Sequence, residues 1–160
     1  MHLIAIDPGP VYSALVVVTD NYRPVVCMKA KNEVVEDYLR NAEFDELVIE
    51  MISSYGLPVG KSVFDTCVEI GRLAEIGKSK GRDAVLFYRK DVKKSICGTM
   101  KSKDSDVIAA LTLRFAPGDP NYGKGTKDMP GWFFGFKADI WQAYALAVAY
   151  IDETGGKSDV

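Results

Sequence analysis

His2-Leu3-Ile4-Ala5-Ile6-Asp7-Pro8-Gly9 is an apolar run that ends on an acid and a Pro-Gly turn. The apolar pattern resumes at Ser13 to Thr19, and again at Val25 to Lys31 after the turn at Asn21 to Pro24. Three short apolar runs divided by Gly, Pro and Asn predict an antiparallel β-meander. Beyond it the pattern changes. Glu33 to Asn41 has helical spacing, Glu46 to Glu50 (Glu-Leu-Val-Ile-Glu) reads as a short buried strand, and Ser62 to Lys78 is helical again at Val63, Phe64, Cys67, Val68, Gly71 and Ala74. Ala84 to Tyr88 is a fifth strand, with helices at Lys90 to Ile96, Asp104 to Phe115 and Ala138 to Ile151. Strands first, then strands alternating with helices, predict an α/β fold with a mixed five-stranded sheet flanked by helices.

The size suits one such unit. A chain of 160 residues, 48% hydrophobic and 26% charged, can bury its own core and is neither disordered nor fibrous in composition. The reading is a single domain over 1–152, a long Pro-, Gly- and aromatic-rich loop at 117–136, and a flexible polar tail at 153–160. The longest all-apolar run, Ala143 to Ile151, is nine residues, against the roughly 18–20 that a membrane span needs. The N-terminal stretch lacks the basic region and long apolar core of a signal peptide. Cys27, Cys67 and Cys97 are odd in number and far apart, so no disulfide framework or cysteine zinc site is expected. A cytoplasmic protein with no membrane partner is the expectation.

His2 is the only histidine, which removes His-based zinc sites and Ser-His or Cys-His catalysis from consideration. Acid–base or metal chemistry must come from carboxylates. Asp7 and Glu50 each end an apolar strand, where α/β sheets place their chemistry, and would stand about 4.8 Å apart if the two strands pair in parallel. Asp139 opens the last helix, whose apolar character puts its start against the sheet. Asp7 also suits a turn residue bonding the Pro-Gly backbone, and Asp139 a first-turn helix charge; glutamate in a buried strand has no such ordinary role. Three carboxylates converging without a charged partner need a divalent cation. Two ions about 3.5–4 Å apart would clamp the attacking and leaving oxygens of a phosphodiester.

The net charge of −2 conceals an uneven distribution: −6 over residues 1–77, +7 over 78–137 and −3 over 138–160. A central basic block reads either as a solvated face or as the footprint of an anionic polymer.

In order and spacing, Ile4-Ala5-Ile6-Asp7-Pro8-Gly9, then Leu47-Val48-Ile49-Glu50, then Ala138-Asp139-Ile140-Trp141-Gln142-Ala143-Tyr144-Ala145-Leu146-Ala147 resemble the RuvC family of Holliday-junction resolvases, within the RNase H-like superfamily. Asp91-Val92-Lys93-Lys94-Ser95-Ile96-Cys97-Gly98 and Lys101-Ser102-Lys103-Asp104 resemble the stretch before that family's final catalytic helix. The resemblance covers roughly residues 2–115 and 137–151. It implies an RNase H-like fold and a homodimeric, Mg²⁺- or Mn²⁺-dependent endonuclease. Such an enzyme nicks two strands of a four-way junction symmetrically and leaves 5′-phosphate and 3′-hydroxyl ends. By position Asp7, Glu50 and Asp139 would be the catalytic metal ligands. Where the family carries a further acid three residues after the last of these, this chain has Gln142, an amide able to bind weakly or to hold a coordinated water but not to supply charge. Asp106 reads as an ordinary residue of a helix start.

On this reading Arg89, Lys90, Lys93, Lys94, Lys101 and Lys103 bind the DNA backbone. Tyr55, with Leu57, stands in the loop after Glu50, either packed there or placed to stack on an unpaired base. Lys124, Lys127, Trp132, Phe133 and Phe134 either touch DNA or form a lid over the core. Other substrates for the same acids are flaps, other branched DNA and RNA–DNA hybrids; a non-catalytic junction-binding module is a further reading. Gly56-Leu57-Pro58-Val59-Gly60-Lys61-Ser62 looks like a phosphate loop but is one residue short between its glycines, and Pro58 lacks a needed N–H. No nucleotide cofactor is expected. The chain suits a bacterial or a phage source, working in the cytoplasm of the bacterium or of the infected host.

Overall fold

The four side chains between His2 and Asp7 in β1 (His2–Asp7) are apolar, and in the computed structural model, which describes residues 1–155, this strand lies mid-sheet with both faces covered. β2 (Tyr12–Thr19) pairs antiparallel with β1, and β3 (Pro24–Lys31) antiparallel with β2, so the predicted meander is present. β4 (Glu46–Met51) joins the other side of β1 in parallel, and β5 (Val85–Tyr88) continues in parallel beyond it. The order β3-β2-β1-β4-β5 is the expected mixed five-stranded sheet. α1 (Asn32–Asn41) and α2 (Lys61–Ser79) make the crossovers from β3 to β4 and from β4 to β5.

Strand side chains alternate between the two faces. Ile4 and Ile6 face Val35, Leu39, Ile70 and Leu73 of α1 and α2, together with Leu15, Leu47 and Ile49. Leu3, Ala5, Ala14, Val16 and Val48 face the other way, onto α5 (Ile140–Thr154). Asp7 and Glu50 have the parity of this second set. Alanines at positions 5 and 14 of the sheet let α5 lie close on the strands, and the alternate alanines 143, 145, 147 and 149 keep both sides of that helix slim for its cover.

Every residue from Ile140 to Ile151 is buried. A helix apolar all round needs cover on its outer side as well. α3 (Arg89–Cys97), α4 (Asp104–Phe115) and the 117–136 segment supply it through Val92, Val107, Leu111, Phe133 and Phe136. Phe133 is fully buried against Trp141 and Tyr144. Trp132 Nε1 donates to the Tyr144 hydroxyl (3.0 Å), which donates to the Tyr22 carbonyl (2.9 Å). Trp132 and Phe133 therefore form a lid over the core, while Phe134 is about half-exposed and Tyr122 mostly exposed. Truncating Phe133 to alanine would cost about 3–5 kcal/mol.

The last helix departs from its predicted bounds. It starts at Ile140 and runs through Thr154, so Glu153 is helical and does not begin a tail. Asp152, bonded by Arg114 (2.8 Å) and by the Tyr22 hydroxyl (2.9 Å), anchors the added turn, and Gly155 ends it at φ 66°. The rest of the predicted tail, residues 156–160, lies outside the described residues. Among the described residues no helix is long and apolar enough to cross a membrane.

Candidate active site

Strand register places the first two acids. Ile6 of β1 is level with Ile49 of β4 in the parallel pair, so the next residues, Asp7 and Glu50, stand side by side on the α5 face. Both are buried, at 8% and 5% exposure. The turn after Asp7 is held from behind. Gly9 N donates to Ser13 Oγ (3.3 Å), Ser13 Oγ donates to Asn32 Oδ1 (2.7 Å), and Asn32 Nδ2 donates to the Gly9 carbonyl (3.0 Å). A Cβ on Gly9 would collide with the Tyr12 carbonyl oxygen, so this turn requires glycine. Ser13 and Asn32 serve the turn backbone, and the Asp7 carboxyl is directed to Glu50 and Arg89 instead. These two positioning residues escaped the sequence reading, because a serine and an asparagine at element ends are ordinary there.

The cation beside the acids comes from the chain itself. β5 pairs with β4 at Glu50↔Phe87 and Met51↔Tyr88, and the residue after the strand is Arg89, the first of α3. Its Nε lies 2.9 Å from Glu50 Oε1, and its Nη2 lies 3.1 Å from Glu50 Oε2 and 3.4 Å from Asp7 Oδ2. The expectation that the acids converge without a charged partner is corrected here. In sequence Arg89 is merely the first member of a basic cluster, and only the β4–β5 pairing brings it to the acids.

Burial first, then the hydrogen bond and the charge of Glu50, raise the Asp7 carboxyl to about 9, while Arg89 pulls it down and Asp139 adds a small upward push. The bond to Glu50 holds Arg89 firmly in the charged form.

Asp139 is the N-cap residue of α5, but its carboxylate caps nothing. It is half-exposed and pairs with Lys29 Nζ of β3 at 2.7 Å. Lys29, Ala14 and Asp7 share one row across β3, β2 and β1, so Lys29 draws Asp139 toward the β3 side. Ala138 just before it has φ 46°, a left-handed backbone that costs a non-glycine residue about 1–3 kcal/mol. Gln142, one turn further on, is buried. Among the described residues no three His, Cys, Asp or Glu side chains gather round a single point.

By charge the acids suit a divalent cation. Two adjacent buried carboxyls hold a guanidinium between them, so positive charge is favoured there, and Asp139 is near enough to act on Asp7. Asp7 and Glu50 could hold Mg²⁺ or Mn²⁺, with Asp139 joining them on leaving Lys29.

The pair opens into a cleft of about 810 Å³ between the Pro8-Gly9-Pro10 turn, the loop after β4 and α3. Lys90 and Lys93 line its α3 wall, while Lys94, Lys101 and Lys103 are exposed. Lys93 also pairs with Asp104 at 3.3 Å. Tyr55 is not packed into its loop. It is 56% exposed at φ 50°, with Lys90 Nζ 5.8 Å from its ring centre. Asp106 has the ordinary role expected of it, accepting a bond from Lys103 N at 2.8 Å in a capping box. Lys61, in the stretch that looks like a phosphate loop, pairs with Asp65 on its own helix.

No protein-family model matches the sequence, and no curated protein matches it by sequence. Among solved structures, RuvC from Thermus thermophilus superposes with a TM-score of 0.70 at 16% identity, covering 98% of each chain. T. thermophilus RuvC in complex with a Holliday junction substrate gives 0.69 at 14% identity, covering 98% of this chain and 97% of that one. What is shared at such identities is the architecture: this chain has the RNase H-like fold of RuvC.

Proposed function

We propose that the protein is a divalent-metal-dependent endonuclease that resolves four-way DNA junctions as a homodimer, cutting two strands symmetrically. One observation carries the reading: Asp7 and Glu50 stand together at the carboxyl ends of parallel strands, in a cleft with a basic wall. The shared fold supports it, since one of the RuvC structures holds a Holliday junction substrate.

Bound at Asp7, Glu50 and Asp139, one or two Mg²⁺ or Mn²⁺ ions would activate water and neutralise charge on the scissile phosphate. The remaining work falls to the chain. The Ser13–Asn32–Gly9 network fixes the direction of Asp7. Lys90 and Lys93, with exposed Lys94, Lys101 and Lys103, take the backbone phosphates. Tyr55 and Leu57, both exposed beside the cleft, stack on bases freed at the branch point. Gln142, buried one turn after Asp139, adds no charge, and its amide would bind weakly or hold a coordinated water. Phe64 and Val68 of α2, 60% and 54% exposed beside Cys67, offer a second copy an apolar face. Paired incision needs that second copy.

The test is cleavage of a labelled four-way junction in Mg²⁺ or Mn²⁺, beside duplex, flap and RNA–DNA hybrid. Paired symmetric nicks with 5′-phosphate ends, absent in Asp7→Asn, are the expected result. Cleavage of flap or hybrid with the junction left intact would keep the acids and overturn the substrate. Junction binding without cleavage in either metal would establish a binding module. Two features favour that second reading: Arg89 seated on the acids, and Gln142 in place of an acid.

A further inference from the structure

Arg89 stands between two acidic seats. On one side its Nε and Nη2 bond Glu50 and Asp7; on the other, Asp104 Oδ2 lies 4.0 Å from Nη1. Asp104, the first residue of α4, is half-exposed and faces Lys93 as well. The Arg89 side chain is 39% exposed, so nothing seals it into the first seat. A guanidinium and a divalent ion cannot share the same two carboxyls, because like charges at that separation repel strongly even in a partly solvated cleft. Arginine suits such a position where lysine does not: its planar fork bonds Glu50 through two N–H groups while a third faces Asp104.

We propose that Arg89 is the resident cation of the metal-free site, that an incoming divalent ion displaces it toward Asp104, and that this exchange sets the metal affinity. The inference rests on the metal-dependent reading above and deepens it. The chain neutralises its own acids until metal arrives, and the displaced guanidinium joins the α3 wall, where it adds a charge to the DNA-facing surface. Asp104 thus belongs to the site without touching the acids, and its part is to receive Arg89.

The test counts free Mn²⁺ by its electron paramagnetic resonance signal during titration of the full chain without DNA, so no turnover enters the readout. Arg89→Gln is expected to bind Mn²⁺ about tenfold tighter or more. Asp104→Asn alone is expected to bind about two- to threefold more weakly, and to have no effect when added to Arg89→Gln, as a thermodynamic cycle requires of a residue acting through Arg89. Unchanged or weaker binding by Arg89→Gln would overturn the proposal. Equal weakening by Asp104→Asn in both backgrounds would also overturn it, because Asp104 would then act on the metal directly. Should Arg89→Gln fail to fold by circular dichroism, Arg89→Lys decides. Its single-point contact should let Mn²⁺ bind a few-fold tighter, and wild-type affinity would refute the exchange. Asp7→Asn is the separate control: retained wild-type Mn²⁺ affinity there would overturn the underlying metal site, whatever Arg89 does.

Discussion

Asp7 with Glu50 on one face of the sheet, and Glu36 with Glu69 under the other, are both carboxyl pairs withdrawn from water, yet among the described residues only the first is hydrogen-bonded by a guanidinium. Glu36 lies on α1 and Glu69 on α2, where the two helices cover the Ile4 and Ile6 side of the sheet. Glu36 Oε1 and both carboxyl oxygens of Glu69 are buried without a hydrogen-bond partner. The cation closest to Glu69, Arg72, is 4.0 Å away and mostly exposed. Burial first, then the like charge of Glu36 close by, raise Glu69 to about 7. Asp7 and Glu69 are perturbed for the same reasons, desolvation and like charge, so perturbation does not distinguish the two sites. What does is the setting of Asp7 and Glu50: a cleft of about 810 Å³, a basic wall and a turn braced to aim one of the acids.

The comparison breaks or stands first on cleavage. Asp7→Asn is expected to lower junction cleavage by about 10³-fold or more, since a lost ligand removes several kcal/mol of metal-supported stabilisation. Glu69→Gln is expected to leave the rate within about twofold, because its carboxyl has no opening to the cleft. Both variants belong in one assay, with circular dichroism to show that each is folded. Equal loss in a folded Glu69→Gln protein would mean that the two pairs are coupled through the sheet.

The first pair was largely legible in the sequence and the second was not. Glu50 stood out because a glutamate ending an apolar strand has no capping role, and Asp7 because it precedes Pro8-Gly9. Their adjacency needed only the parallel pairing of β1 with β4. Arg89 reads in the sequence only as a member of the DNA-facing cluster, since its approach to Glu50 depends on the pairing of β4 with β5, residues distant in sequence. Asp139 was placed correctly at the start of α5, but its pairing with Lys29 crosses from that helix to β3. Glu36 and Glu69 each sit within a helix, where glutamate is unremarkable, and only the packing of α1 on α2 turns both inward. The 117–136 loop was legible in composition, and its aromatics found their role through Trp141 and Tyr144 of α5.

A stability experiment sharpens the contrast from the other side. The folded-state pKa of Glu69 is raised to about 7 from an ordinary 4.5. Between those values the folded protein binds more protons than the unfolded chain. The pair's contribution is therefore fully present below about pH 4.5 and is lost as pH rises through about 7. Glu69→Gln removes the charge that must otherwise form in a buried place, and is expected to stabilise the protein by about 1–3 kcal/mol at pH 8, with little gain at pH 5. Urea unfolding at the two pH values measures this. An equal change at both would show that ionisation of Glu69 plays no part.

The smallest effect lies at the rim of the cleft, and it asks whether basic surface serves only the first pair. Lys94 is exposed on α3 beyond the Arg89 seat, whereas Arg72 is the exposed cation beside Glu69 on α2. Each phosphate contact made by a cation contributes about 0.9 to the log–log dependence of affinity on salt. Lys94→Gln should therefore make the salt dependence of junction binding shallower by about that amount, while Arg72→Gln should leave it unaltered. Fluorescence anisotropy with a labelled junction, across a range of salt concentrations in Ca²⁺, reads both slopes. A slope lowered equally by Arg72→Gln would carry the DNA round to the α2 side, placing nucleic acid on the surface now assigned to a second copy of the chain. The homodimer contact would then have to lie elsewhere, and the exposed Phe64 and Val68 would need another role.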